Sequence, residues 1–122
     1  DFLLIDFHGE TTSEKMAIGN FFDGKATLIV GTHTHVPTND ARVLSNGTAY
    51  LTDAGMCGDY NSVIGMNVKN SINRFLKKES IKHFPAKGEG TICGILVDAN
   101  PNTGLADQAK SFIYGGELKS SN

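Results

Sequence analysis

Long apolar runs, paired cysteines and a surplus of one charge are all missing from this sequence, and each absence removes a class of protein. No stretch is apolar for long enough to span a bilayer, and no basic-then-apolar leader opens the chain. Cysteine occurs only twice, at Cys57 and Cys93, with no close pairing motif. These read as thiols of a reducing compartment, so the expected location is the cytoplasm. The net charge of -2 gives no field for capturing nucleic acid or an anionic membrane. Any nucleotide must therefore be held by a local site. No internal repeat, linker or low-complexity segment is present, and there is no initiator methionine.

What is present suits one globular α/β layer structure of 122 residues. The opening run Asp1-Phe2-Leu3-Leu4-Ile5-Asp6-Phe7 is apolar almost without alternation, the pattern of a strand buried on both faces. A buried central strand at the very start suggests the C-terminal part of something longer. Thr11 followed by Glu14 matches a capping box, predicting a helix from there to the stop at Asp23-Gly24. Ala26 to Val30 is a second buried strand, so residues 1–30 form a strand-helix-strand unit whose strands should run parallel. Ala41 to Leu44 and Thr48 to Thr52, around Ser45-Asn46-Gly47, read as a hairpin. A helix is expected from about Ile64 to Lys78, then strands from Thr91 to Val97 and from about Gln108 to Tyr114. The tail from Gly115 is expected to fray.

Three of the four histidines, His8, His33 and His35, fall at the C-terminal ends of the first two strands. That edge is where open α/β sheets bind ligands. In extended chain His33 and His35 project to one side, and His8 arrives one strand away. Three neutral imidazoles around a point suit Zn, Mn or Fe. Thr32 and Thr34 add hydroxyls that can orient a ligand ring, and the small residues nearby leave room. His83 lacks such company and reads as a surface or hairpin residue. Two divalent cations would also need carboxylates. Asp6, Glu10, Asp40 and Asp53 are the nearby ones, and none is persuasive as a bridging ligand, so the missing acids are expected upstream of residue 1.

Three blocks then match a known pattern: Asp6 to Lys15, Val30 to Val36 and Tyr50 to Met56. They resemble the YmdB-type branch of the calcineurin-like metallophosphoesterases, bacterial enzymes that hydrolyse 2′,3′-cyclic nucleotides. The similarity keeps the family's order and extends to about Phe84. It implies an α/β/β/α sandwich in which residues 1–122 are the C-terminal part of a single metallophosphoesterase domain whose N-terminal half is absent. It also implies two divalent metal ions, iron or manganese, with zinc or magnesium as alternatives. His8 and His33 would bind one and His35 the other. The remaining family ligands and the catalytic acid, a histidine of an Asn-His motif, match no segment here, so no catalytic residue is assigned in this chain.

Around the histidines, Glu10, Thr34 and Asp53 are expected to support the ligands. Glu10 could equally serve the adjoining helix N-terminus, and Asp53 could equally cap local amides. Met56 either lines the pocket or packs. Arg74, Lys77, Lys78 and Lys82 form a basic stretch near a helix end, read as a solvated face rather than a docking site. The implied partners are the N-terminal half and a cyclic nucleotide, with a homo-oligomer left open and no membrane or strong nucleic-acid signal. The rival reading is a metal- or nucleotide-binding regulatory module without turnover.

Overall fold

In the computed structural model, residues 1–77 and 82–118 are described. A four-stranded sheet is built from β1 (Leu4–His8), β2 (Leu28–Thr32), β3 (Arg42–Val43) and β4 (Ala49–Leu51) in the order β1-β2-β4-β3. The helix α1 (Thr12–Phe21) joins β1 to β2 as a crossover. These two strands pair in parallel, Leu4 opposite Leu28 and His8 opposite Thr32, as a strand-helix-strand unit requires. β4 joins β2 in parallel and β3 in antiparallel, so the expected hairpin is present with shorter arms. A short α2 (Val68–Phe75) and a long antiparallel ribbon, β5 (Ile92–Ala99) with β6 (Ala106–Tyr114), complete the fold.

Alternation along β2 divides the core between two faces. Ile29 packs with Ala26 and Tyr50, over which Ile5, Ile18 and Phe22 close from the β1 and α1 side. Leu28 points the other way, onto Ala49 and Ala106, with Ile95 and Val97 of the ribbon. One helix, a sheet and a ribbon are thus stacked in a mixed α/β arrangement with a parallel sheet. No helix among the described residues is long and apolar enough to cross a membrane.

Several expectations need correction. β1 is not buried on both faces. Ile5 and Phe7 are half-buried while Leu4, Asp6 and His8 are exposed, Leu4 at 62%. Its place at the sheet edge explains this, since β2 is its one strand neighbour among the described residues. Thr11 does occupy the N-cap of α1, but its side chain makes no capping bond. The inward stripe of that helix is Lys15, Ile18, Gly19 and Phe22, at helical spacing, while Phe21 is exposed. α2 begins at Val68 rather than Ile64 because Ile64 and Gly65 both take positive φ, 49° and 89°. Asn67 caps it instead, accepting from the Asn70 amide at 3.1 Å. The helix also ends earlier than the expected Lys78, at Phe75 with Leu76 as its C-cap and Lys77 at φ 51°; residues 119–122 of the tail lie outside the described residues.

Candidate metal centre

Parallel pairing of β1 with β2 sets His8 opposite Thr32, and His33 follows immediately. His8 Nε2 and His33 Nδ1 face each other at 3.1 Å, and the rings meet edge to face with centroids 5.0 Å apart. His35 lines the same pocket of about 180 Å³, together with Thr32, Asp53, Gly55 and Met56. All three imidazoles are exposed.

Hydrogen bonds assign the tautomers of two of them. Thr32 Oγ1 donates to Asp6 Oδ1 at 3.2 Å, so at 3.1 Å it accepts from His8 Nδ1–H. That leaves His8 Nε2 as a bare acceptor aimed at His33. His35 Nδ1 donates to the Ile64 carbonyl at 3.0 Å, which leaves its Nε2 bare as well. Metal-ligating histidines are oriented in this way, with one nitrogen tied to a fixed acceptor and the other free for the ion. Two nitrogens each about 2.1 Å from one cation, at angles of about 90–109°, lie about 3.0–3.4 Å apart. The 3.1 Å separation of His8 and His33 falls in that interval. The donor set therefore fits a cation at the His8–His33 edge, with His35 standing apart in the same pocket. Among the described residues, no three His, Cys, Asp or Glu side chains close a complete metal cage.

The backbone here is held in costly conformations. His33, His35 and Ile64 have φ of 142°, 64° and 49°, all in the left-handed region that side chains disfavour. Such residues cost about 1–3 kcal/mol each and cluster at functional sites.

Asp53 supplies the counterforce, in the second of its two expected roles, as an acceptor for local amides. Its carboxylate makes no hydrogen bond to an imidazole among the described residues. Its Oδ2 takes the Thr34 amide at 2.9 Å and its Oδ1 the Gly55 amide at 3.0 Å, so it anchors the backbone between His33 and His35. Lys15 Nζ, itself buried, donates to Oδ2 at 2.8 Å. Burial pushes the Asp53 carboxyl up, but the bonds from Lys15, Thr34 and Gly55 outweigh it and hold it below its ordinary range. Asp40 behaves alike. Burial raises it, and bonds from Thr52, Thr38 and Arg42 leave it lowered, tied to the end of β4.

The other expected supports change role. The Thr34 hydroxyl donates to the Val36 carbonyl at 2.9 Å rather than to a histidine. Glu10 is exposed and outside the pocket lining. Gly31 makes room for protein and not for ligand: a Cβ there would sit 1.8 Å from the Thr52 carbonyl oxygen and 2.9 Å from the Lys15 stem. His83 is exposed, as expected, and pairs with Arg74.

Lys15 and Ile64 were not anticipated. A lysine on a helix is ordinarily solvated, and a backbone carbonyl has no residue signature, so neither carried a signal. Tyr60 was missed too. Its hydroxyl accepts from the Met56 amide at 3.1 Å and lies 3.0 Å from the His35 carbonyl, closing the loop beneath the pocket. Burial and the neighbouring Cys93 raise its pKa.

Comparison with known proteins places these features in context. The model of the YmdB-like protein family matches residues 1–112. The chain belongs to the YmdB-like family. A Bacillus subtilis relative, a 2′,3′-cyclic-nucleotide 2′-phosphodiesterase, is 45% identical over 116 residues, covering 95% of this chain and 44% of its own length. Two crystal structures share the fold seen here. A hypothetical protein from Thermus thermophilus superposes with a TM-score of 0.85 at 37% identity, covering 93% of this chain and 44% of that one. A phosphatase from Mycoplasma pneumoniae does so with a TM-score of 0.83 at 41% identity, covering 89% and 39%. The chain thus spans less than half the length of these relatives.

Proposed function

We propose that this chain is the C-terminal part of a cytoplasmic two-metal phosphodiesterase that opens 2′,3′-cyclic nucleotides. His8 and His33 hold one divalent cation and His35 the other, with iron or manganese the favoured metals. The observation that carries this reading is the 3.1 Å approach of the His33 ring to the oriented Nε2 of His8, with a third imidazole in the same pocket. The relatives' names as phosphodiesterase and phosphatase point to the same chemistry.

When bound, such cations neutralise the phosphodiester charge and acidify the attacking water. The residues of this chain prepare for that in separable ways. Thr32 and the Ile64 carbonyl keep one proton on Nδ1 of His8 and of His35, so that each Nε2 lone pair faces the pocket. Asp53 holds the Thr34 amide, which sets the spacing of the two histidines on either side of it. Met56 gives the pocket an apolar wall that limits water. The leaving 2′- or 3′-oxygen needs a proton, and that task falls to the N-terminal half. The same half supplies the bridging carboxylate and covers the exposed edge of β1. The segment alone is then inactive.

His8→Ala, His33→Ala and His35→Ala in the full-length protein each lower turnover of 2′,3′-cyclic AMP about 100-fold or more, with loss of bound metal seen by elemental analysis. Unchanged turnover in any of the three sinks the proposal.

A second reading, a metal- or nucleotide-binding regulatory module, is favoured by one observation. Beyond the histidines and Asp53, no titratable side chain among the described residues lines the pocket, so no proton donor for a leaving group stands there. An Asn-His pair in the upstream sequence decides for catalysis, and its absence for binding.

A further inference from the structure

Ile64 faces two ways. Its carbonyl holds His35, and its side chain lines a second cavity of about 300 Å³. That cavity has apolar walls of Val63, Met66 and Phe75, and three polar groups: Ser71, Arg74 and His83. The volume is at the lower end for small-molecule sites, and the mixture of apolar walls with few polar groups is typical of them.

One of those polar groups lacks a partner. Ser71 is 4% exposed, and its Oγ makes no hydrogen bond among the described residues. A buried hydroxyl left unpaired is destabilising, so native chains rarely keep one without use. Phe75, on the opposite footing, is an aromatic ring left 83% exposed, where burial would be favourable. Arg74 brings fixed donors next to His83, with which it pairs. An unsatisfied hydroxyl, an unstacked ring and a set of donors call for one kind of ligand, a flat heterocycle with acceptor atoms on its edge.

We propose that this cavity binds the base of the nucleotide whose phosphate occupies the histidine pocket, an assignment that rests on the phosphodiesterase reading above. Phe75 stacks on the base, Ser71 Oγ and Arg74 bond its edge, and Ile64 links the two pockets by fixing His35 on one side and bounding the base on the other. Base recognition is then built beside the metal ligands on the same chain. Ser71 and Phe75 act on affinity for the nucleoside, and the histidines act on the phosphodiester.

The test uses the full-length protein with two substrates, 2′,3′-cyclic AMP and bis(p-nitrophenyl) phosphate, a diester that carries no base. Phe75→Ala and Ser71→Ala each lower the ratio of kcat/KM for the first over the second about tenfold, through KM for the nucleotide, as loss of one base-stacking or base-edge contact does. A ratio that stays put overturns the base pocket and leaves the phosphodiesterase reading intact. A wild-type protein that cleaves neither diester overturns that reading instead. Calorimetry with adenosine then judges the cavity separately: binding to the wild type, lost in Phe75→Ala, supports it, and no binding at millimolar adenosine overturns it. Ser71→Ala removes an unpaired buried hydroxyl, so its Tm holds or rises while adenosine binding weakens; a fallen Tm with unchanged adenosine binding refutes its part.

Discussion

Lys15 and Asp53 are sealed from solvent, whereas His8, His33 and His35, above them in the same site, are exposed. The two layers differ in what each contributes. The lower layer is an ion pair with all its bonds made inside the protein, fixing the loop backbone. The upper layer holds exposed ring nitrogens on strained backbone, the kind of segment that clusters at functional sites. On the proposed function, the lower layer serves stability and the upper layer metal binding, so substitutions in the two layers should have separable effects.

The largest effect tests the lower layer. Lys15→Ala in the full-length protein leaves the Asp53 carboxylate buried without its counter-ion, at an expected loss of about 3–5 kcal/mol in urea unfolding. A shift under about 1 kcal/mol would mean the pair is not the footing of the loop. Next come the histidine substitutions. His33→Ala should abolish metal binding at the His8–His33 edge while the urea midpoint moves little, the reverse of Lys15→Ala. Should it unfold the protein instead, the division between layers fails.

Thr32→Val is milder. It removes the acceptor for His8 Nδ1–H and the donor to Asp6 but leaves every imidazole in place, so metal affinity should fall about 10-fold with folding little affected. Equal affinity in titration with Mn²⁺ would show that Thr32 does not orient His8.

Acid offers a graded way to separate the layers. The folded Asp53 carboxyl lies below its ordinary value of 3.8, so its stabilisation is complete above that value and is lost as pH falls through the folded pKa. Asp53→Asn should flatten the acid limb of the stability profile, and an unaltered limb would assign the effect to Asp40. The smallest expected difference is between two variants at one position. At φ 64°, His35→Gly should be more stable than His35→Ala by about 1 kcal/mol, and equal stability would mean the loop relaxes without strain.

Much of the architecture is legible in advance, for local reasons. The β1-α1-β2 unit, the hairpin around Asn46-Gly47 and the closing ribbon each arise from short-range patterns of apolar residues and turns. The three site histidines stand out because they recur at equivalent strand ends. Where pattern and structure part, the cause is tertiary. The apolar start of β1 has the pattern of a central strand, but burial depends on neighbours that sequence pattern does not name. The helix expected at Ile64 starts later because residues 64 and 65 adopt positive φ, one of them without being glycine.

Residue order alone was enough to specify the parallel pairing, the convergence of His8 with His33, and the family, because each follows from periodicity, crossover geometry or a long local match. Folding in three dimensions decided the rest. It chose, of the two roles open to Asp53, the one on the backbone amides, buried Lys15 beneath the imidazoles, and made a carbonyl of Ile64 the partner of His35. The physical reason is that local pattern encodes which face a residue occupies, whereas the partner of a buried charge or a ring nitrogen is selected by whatever the packed chain brings within about 3 Å of it.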